Sequence, residues 1–131
     1  MPQRPLDPIP SIPSILQACV QALDDKKAED IRIIYVGEVS SITDYFVIAT
    51  GTSNPHLKAM ARAVEAVLDT ASEPCTVSDA RDESGWVVVD GYAFMVHLFS
   101  KDTRRYFNLE GLWKDGVDVP VEDLVAAPVR V

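Results

Sequence analysis

The residues best suited to chemistry lie in "SSITDYFVIATGTSNPH", residues 40–56. A strand, a Gly turn and a helix start in that order can cradle a phosphate, because free N–H groups at the helix start point at the anion. Gly51, Thr52 and Ser53 give that turn small, polar side chains. The stretch has neither GxxxxGKS/T nor GxGxxG, and Pro55 removes one N–H at the helix start. A strand-to-helix cap, with Asn54 as N-cap and Pro55 as first helical residue, also accounts for every residue there. An anion site is the competing reading.

Metal-dependent transfer needs clustered carboxylates with open coordination positions. Asp44 stands alone before a strand, Asp79 and Asp82 fall in a loop, and Asp90 ends a strand by itself. His56 lies in the first turn of a helix. His97 alternates with Met95 and Phe99 along a strand, and neither His has a Ser or Cys placed for a triad. Cys19 and Cys75 lack CxxC spacing and read as buried thiols. No catalytic residue, metal ligand or cofactor is expected, so the chain reads as a non-enzyme.

Binding is the other class of chemistry. In "GWVVVD", period-2 alternation puts Trp86, Val88 and Asp90 on one face, Val87 and Val89 on the other. An aromatic anchor with an acid suits a partner patch. Packing of Trp86 beneath a helix fits the same pattern. In "YFNLEGLW", Tyr106, Leu109 and Trp113 should form the buried stripe of a last helix, with Phe107, Glu110 and Lys114 on the adjoining face.

Elements must position these residues. Prolines at 2, 5, 8, 10 and 13 make residues 1–13 a flexible arm. Leu16, Cys19, Val20 and Leu23 at i, i+3, i+4 and i+7 predict a helix near Ser14 to Lys27, capped by Ser11 or Ser14. "DIRIIYVG" and "YFVIAT" read as strands, the second apolar enough to be buried on both faces. Leu57, Met60, Ala61, Val64, Val67, Leu68 and Ala71 then mark the clearest helix. "CTVSD", "GWVVVD" and "AFMVHLFS" are strands, the last two a hairpin around Gly91-Tyr92. Asp102 or Thr103 should cap the final helix, and residues 116–131 read as an irregular tail. The order α-β-β-α-β-β-β-α predicts an α/β fold with a mixed sheet of about five strands and flanking helices.

Length and charge set the bounds. The chain has 131 residues, 47% apolar and 24% charged, which suits one globular domain. A net charge of −8 disfavours direct nucleic-acid binding and suits a basic protein partner. No apolar run reaches membrane-spanning length, and the N-terminus has no signal-peptide pattern, so a cytoplasmic location is expected.

Taken together, "SSITDYFVIATGTSNPH", "GWVVVD", "MVHLF" and "TRRYFNLEGLW" resemble, in order and spacing, the ribosomal silencing factor family, also called Iojap-like. The resemblance covers about residues 14–115. It implies a fold related to nucleotidyltransferases without their catalytic residues. It implies binding to the large ribosomal subunit through ribosomal protein fourteen, hindering small-subunit joining and repressing translation. A role in large-subunit assembly and a homodimer are also implied. By position, the family's contact surface falls on Trp86, Asp90, Gly91 and Tyr92. Many members carry D-x-G-D after the strand, where this chain has Asp90-Gly91-Tyr92-Ala93. The alternative classes are a nucleotide-binding transferase and an adaptor that dimerises through its sheet edge.

Overall fold

The computed structural model describes residues 13–37, 40, 43–79, 85–112 and 115–119. The proline-rich arm expected over 1–13 lies outside them except for Pro13. The elements run α1 (Ser14–Asp25), β1 (Glu29–Tyr35), β2 (Tyr45–Gly51), α2 (Asn54–Thr70), β3 (Thr76–Asp79), β4 (Trp86–Asp90), β5 (Phe94–Ser100), α3 (Lys101–Phe107), α4 (Leu109–Leu112) and β6 (Val117–Val119).

The predicted stripe of α1, Leu16, Cys19, Val20 and Leu23, is wholly buried. Its start is capped by backbone alone: the Pro13 carbonyl accepts from Leu16 N and Gln17 N, and Ser14 is the first helical residue. Both long helices end without glycine. Ala28 N bonds Leu23 O across Lys27 (φ +66°), and Glu73 N bonds Leu68 O across Ser72 (φ +60°). These are Schellman ends with a left-handed residue that carries a side chain.

The sheet order is β3-β4-β5-β2-β1-β6, with β2 and β5 parallel and every other pair antiparallel. The mixed architecture matches the sequence reading. β2 is buried along its whole length, as a strand covered on both faces must be. α1 and α2 cover one face, where Leu57, Met60, Val64 and Leu68 pack with Val47, Val87, Val89, Val96 and Leu98. The other face carries a smaller cluster of Ile34, Val36, Phe46, Ile48 and Phe99, with Trp86, Met95 and Leu109 packed against it.

Four expectations are corrected. The tail called irregular over 116–131 begins with the sixth strand: Val117–Val119 pairs with Tyr35–Ile33, and Val119 is buried. Three residues are too few to show a period, so only the open edge of β1 fixes them as a strand. Residues 120–131 lie outside the described set. The single last helix is two short ones. Asn108 sits at φ +47° and ends α3, and its Oδ1 then accepts from Gly111 N at 3.2 Å in α4. The cap of α3 is Ser100, which accepts from Thr103 N, where Asp102 or Thr103 was expected. Tyr106 is 81% exposed and α3 buries no residue, so the stripe expected of Tyr106 and Leu109 does not form. Trp113 lies outside the described residues.

Candidate functional site

The Gly51 turn is explained by packing. A Cβ on Gly51 would stand 2.7 Å from Leu57 Cδ2 and 3.1 Å from Met60 Sδ, so glycine lets α2 close onto β2. The N-cap is Ser53, one residue before the Asn54 expected from sequence; its hydroxyl accepts from His56 N at 3.1 Å. His56 Nδ1 accepts from Thr52 N at 2.9 Å, and Nε2 donates to the Lys26 carbonyl at 2.7 Å. Amides that an anion would need are thus engaged by neighbouring side chains. An open depression of about 530 Å³ beside the turn is lined by Glu29 and Asp102 against Lys101, an acidic balance that repels phosphate. Asp44 lies at the opposite end of β2 from it, roughly 20 Å along the strand. Among the described residues, no cluster of three His, Cys, Asp or Glu side chains could hold a metal ion.

The β4–β5 hairpin brings the sequence-predicted partner residues to one face. Trp86 and Asp90 share that face of β4, roughly 13 Å apart along the strand. Asp90 Oδ1 accepts from Tyr92 N at 2.8 Å, which closes the turn. Gly91 N donates to Phe94 O, and Ala93 N donates back to Gly91 O at 2.8 Å. This i→i+2 bond spans Tyr92, whose φ is +70°: a γ-turn of the rare, strained sense. The third position, which D-x-G-D gives to glycine, here forces a bulky aromatic into left-handed backbone. Tyr92 is 55% exposed, with its hydroxyl 3.4 Å from Thr76 Oγ1.

At the other end of β4, Trp86 is half-buried in an aromatic cluster. Its ring centroid lies 5.1 Å from that of Phe99 and 4.7 Å from that of Phe107 on α3. Its indole N–H donates to His97 Nδ1 at 3.1 Å. His97 therefore carries its own proton on Nε2, which is buried without a hydrogen-bond partner among the described residues. Burial pushes the His97 pKa down to about 4, against a smaller upward pull from the Asp90 charge. Trp86 packs under α3, as one of the two sequence readings has it, and its flank meets Phe107, which is 47% exposed.

Sequence reasoning missed what holds α3. Arg104, with a side chain only 12% exposed, donates from Nη1 to Asp30 O and to Thr50 Oγ1 and from Nη2 to Glu110 Oε2, each at 2.8 Å. Glu110 also pairs with Arg32 at 3.2 Å, and Arg32 with Asp118 of β6 at 2.6 Å. Burial alone would raise the Glu110 pKa. The bonds and charges of Arg104 and Arg32 outweigh it and hold the carboxyl below its usual range. Asp30 offers its carbonyl because a bulge in β1 places it at φ +48°. These partners are 74 and 54 residues away, so no local pattern marks them.

Comparison with known proteins places the chain in a family. A family model described as ribosomal silencing factor during starvation matches residues 9–130, more of both termini than the quoted motifs outline. A ribosomal silencing factor from Bacillus subtilis is 40% identical over 111 residues, covering 85% of this chain and 92% of that protein. Mitochondrial assembly of ribosomal large subunit protein 1 from Mus musculus is 36% identical over 97 residues, 72% of this chain and 42% of that one. A crystal structure of a Chromobacterium violaceum protein superposes with a TM-score of 0.75 at 30% identity, covering 85% of this chain and 91% of the other. The chain belongs to the ribosomal silencing factor family.

Proposed function

We propose that this protein acts in the cytoplasm by binding the large ribosomal subunit through ribosomal protein fourteen, and that its bulk on that face blocks the small subunit and represses translation. Its role is occupancy, with no reaction catalysed. Trp86, Asp90, Gly91 and Tyr92 form the contact. The observation that supports this reading is Tyr92, a bulky side chain held outward on left-handed backbone whose amide is fixed by Asp90. Lys27, Ser72 and Asn108 take this sense of φ to end helices, whereas Tyr92 takes it at an exposed hairpin tip, and such strain clusters at functional sites. The net charge of −8 complements a basic ribosomal protein.

The test is sedimentation of purified subunits with the protein and three variants. Trp86→Ala and Asp90→Lys should abolish pelleting with the large subunit. Tyr92→Gly should separate stability from function: relief of the left-handed strain raises folding stability by about 1 kcal/mol, while binding weakens. Folded variants that still pellet like the parent would remove these residues from the interface. The mouse relative, named for large-subunit assembly, supports a second reading in which the same docking serves assembly. Large-subunit binding that leaves subunit joining intact would favour it.

A further inference from the structure

We propose that the docking surface extends from the β4–β5 hairpin onto α3, where Tyr106 and Phe107 form an aromatic ledge for the same basic protein partner. The inference rests on the large-subunit reading above. A short terminal helix ordinarily docks by burying its aromatics. α3 does the reverse: it buries no residue, Tyr106 is 81% exposed and Phe107 47% exposed. The helix stays in place through the Arg104–Glu110 network, so its aromatics are not needed as anchors.

The ledge is continuous with the hairpin. Tyr106 meets Phe107 edge to face with centroids 5.0 Å apart, and Phe107 lies 4.7 Å from Trp86. Three linked rings thus run from the exposed helix surface to the strand that ends in Asp90. Exposed Tyr106, Phe107 and Arg105 beside half-buried Trp86 match the composition of interface cores. Arg105, also on α3 and largely exposed, lies 3.6 Å from Asp102, which offsets part of its charge. The ring faces offer seats for Arg and Lys stems of a basic surface, by cation–π contact and by burial of the methylenes. The roughly 13 Å from Trp86 to Asp90 fits well inside a standard interface of about 800 Å² per partner. Local Lys101 and Arg105 make ribosomal RNA the rival occupant, which the whole-chain charge disfavours.

The experiment is pelleting with purified large subunits for Tyr106→Ala and Phe107→Ala, beside the parent and Asp90→Lys. Tyr106 packs so little that its loss leaves the fold unchanged, whereas Phe107→Ala also frees one side of Trp86. Tyr106→Ala should weaken binding about tenfold, the effect of losing an interface aromatic. In parallel, p-benzoylphenylalanine replaces Tyr106 and is irradiated on the subunit; the crosslink should form to a ribosomal protein. Parent-like binding by Tyr106→Ala, with Asp90→Lys defective, overturns the ledge and leaves the docking reading standing. A crosslink to RNA or to a second copy overturns the partner assignment. A parent that fails to pellet overturns both.

Discussion

Replacing Arg104 by Met should cost about 2–4 kcal/mol of folding stability. The guanidinium serves three partners from three parts of the chain: the Asp30 carbonyl, the Thr50 hydroxyl and the Glu110 carboxylate. Losing the first two leaves acceptors without this donor, at about 1 kcal/mol each. Removing one side of a buried ion pair costs about 3–5 kcal/mol, but Glu110 keeps Arg32 and is 18% exposed, so its share is smaller. Urea denaturation reads the total. Glu110→Leu in the same background should restore part of the loss, because the stranded carboxylate is then gone. The acid response adds a second readout. The Glu110 pKa is lowered on folding, so its contribution is present above the unfolded value and is lost as pH falls through the folded one. Arg104→Met should flatten that acid limb. A loss under about 0.5 kcal/mol, or strictly additive effects in the double variant, would refute the claim that this network anchors α3.

Three further outcomes follow from the same geometry. His97 has a folded pKa of about 4 against 6.5, so its contribution is complete above pH 6.5 and declines as pH falls through that window to about 4; His97→Phe should remove that part of the slope in a series of urea titrations. Gly51→Ala should destabilise by about 1–3 kcal/mol through overpacking against Leu57, read as a lower thermal midpoint, and an unchanged midpoint would mean that α2 shifts freely. Ser72→Gly should stabilise by about 0.5–1 kcal/mol, since Ser72 holds the left-handed end of α2, and a loss of stability would contradict the cap geometry.

The strongly periodic elements were legible from sequence. The stripes of α1 and α2, the fully apolar β2 and the alternation of Trp86, Val88 and Asp90 along β4 all have a local cause, the repeat of helix or strand. Of the candidate site, the shared face of Trp86 and Asp90 was deduced from strand alternation, whereas Gly91 and Tyr92 were named from the family resemblance. The strain at Tyr92 was not visible, because a left-handed residue here carries a large side chain and the glycine lies one position earlier. The same holds at Lys27, Ser72 and Asn108, where helix ends carry no glycine signal.

Local spacing alone thus determined the strongly periodic helices and strands, that the sheet is mixed, and that chemistry by clustered carboxylates or a phosphate loop has no motif behind it. What only the tertiary structure decided involves partners far apart in sequence. β6 exists because β1 has an open edge to receive it. α3 turns its aromatics outward because Arg104 finds Asp30, Thr50 and Glu110. A stripe rule assumes that a helix is held by its apolar face. Where buried ion pairs and hydrogen bonds hold it instead, the aromatic side chains are left facing solvent, and only the assembled fold reveals it.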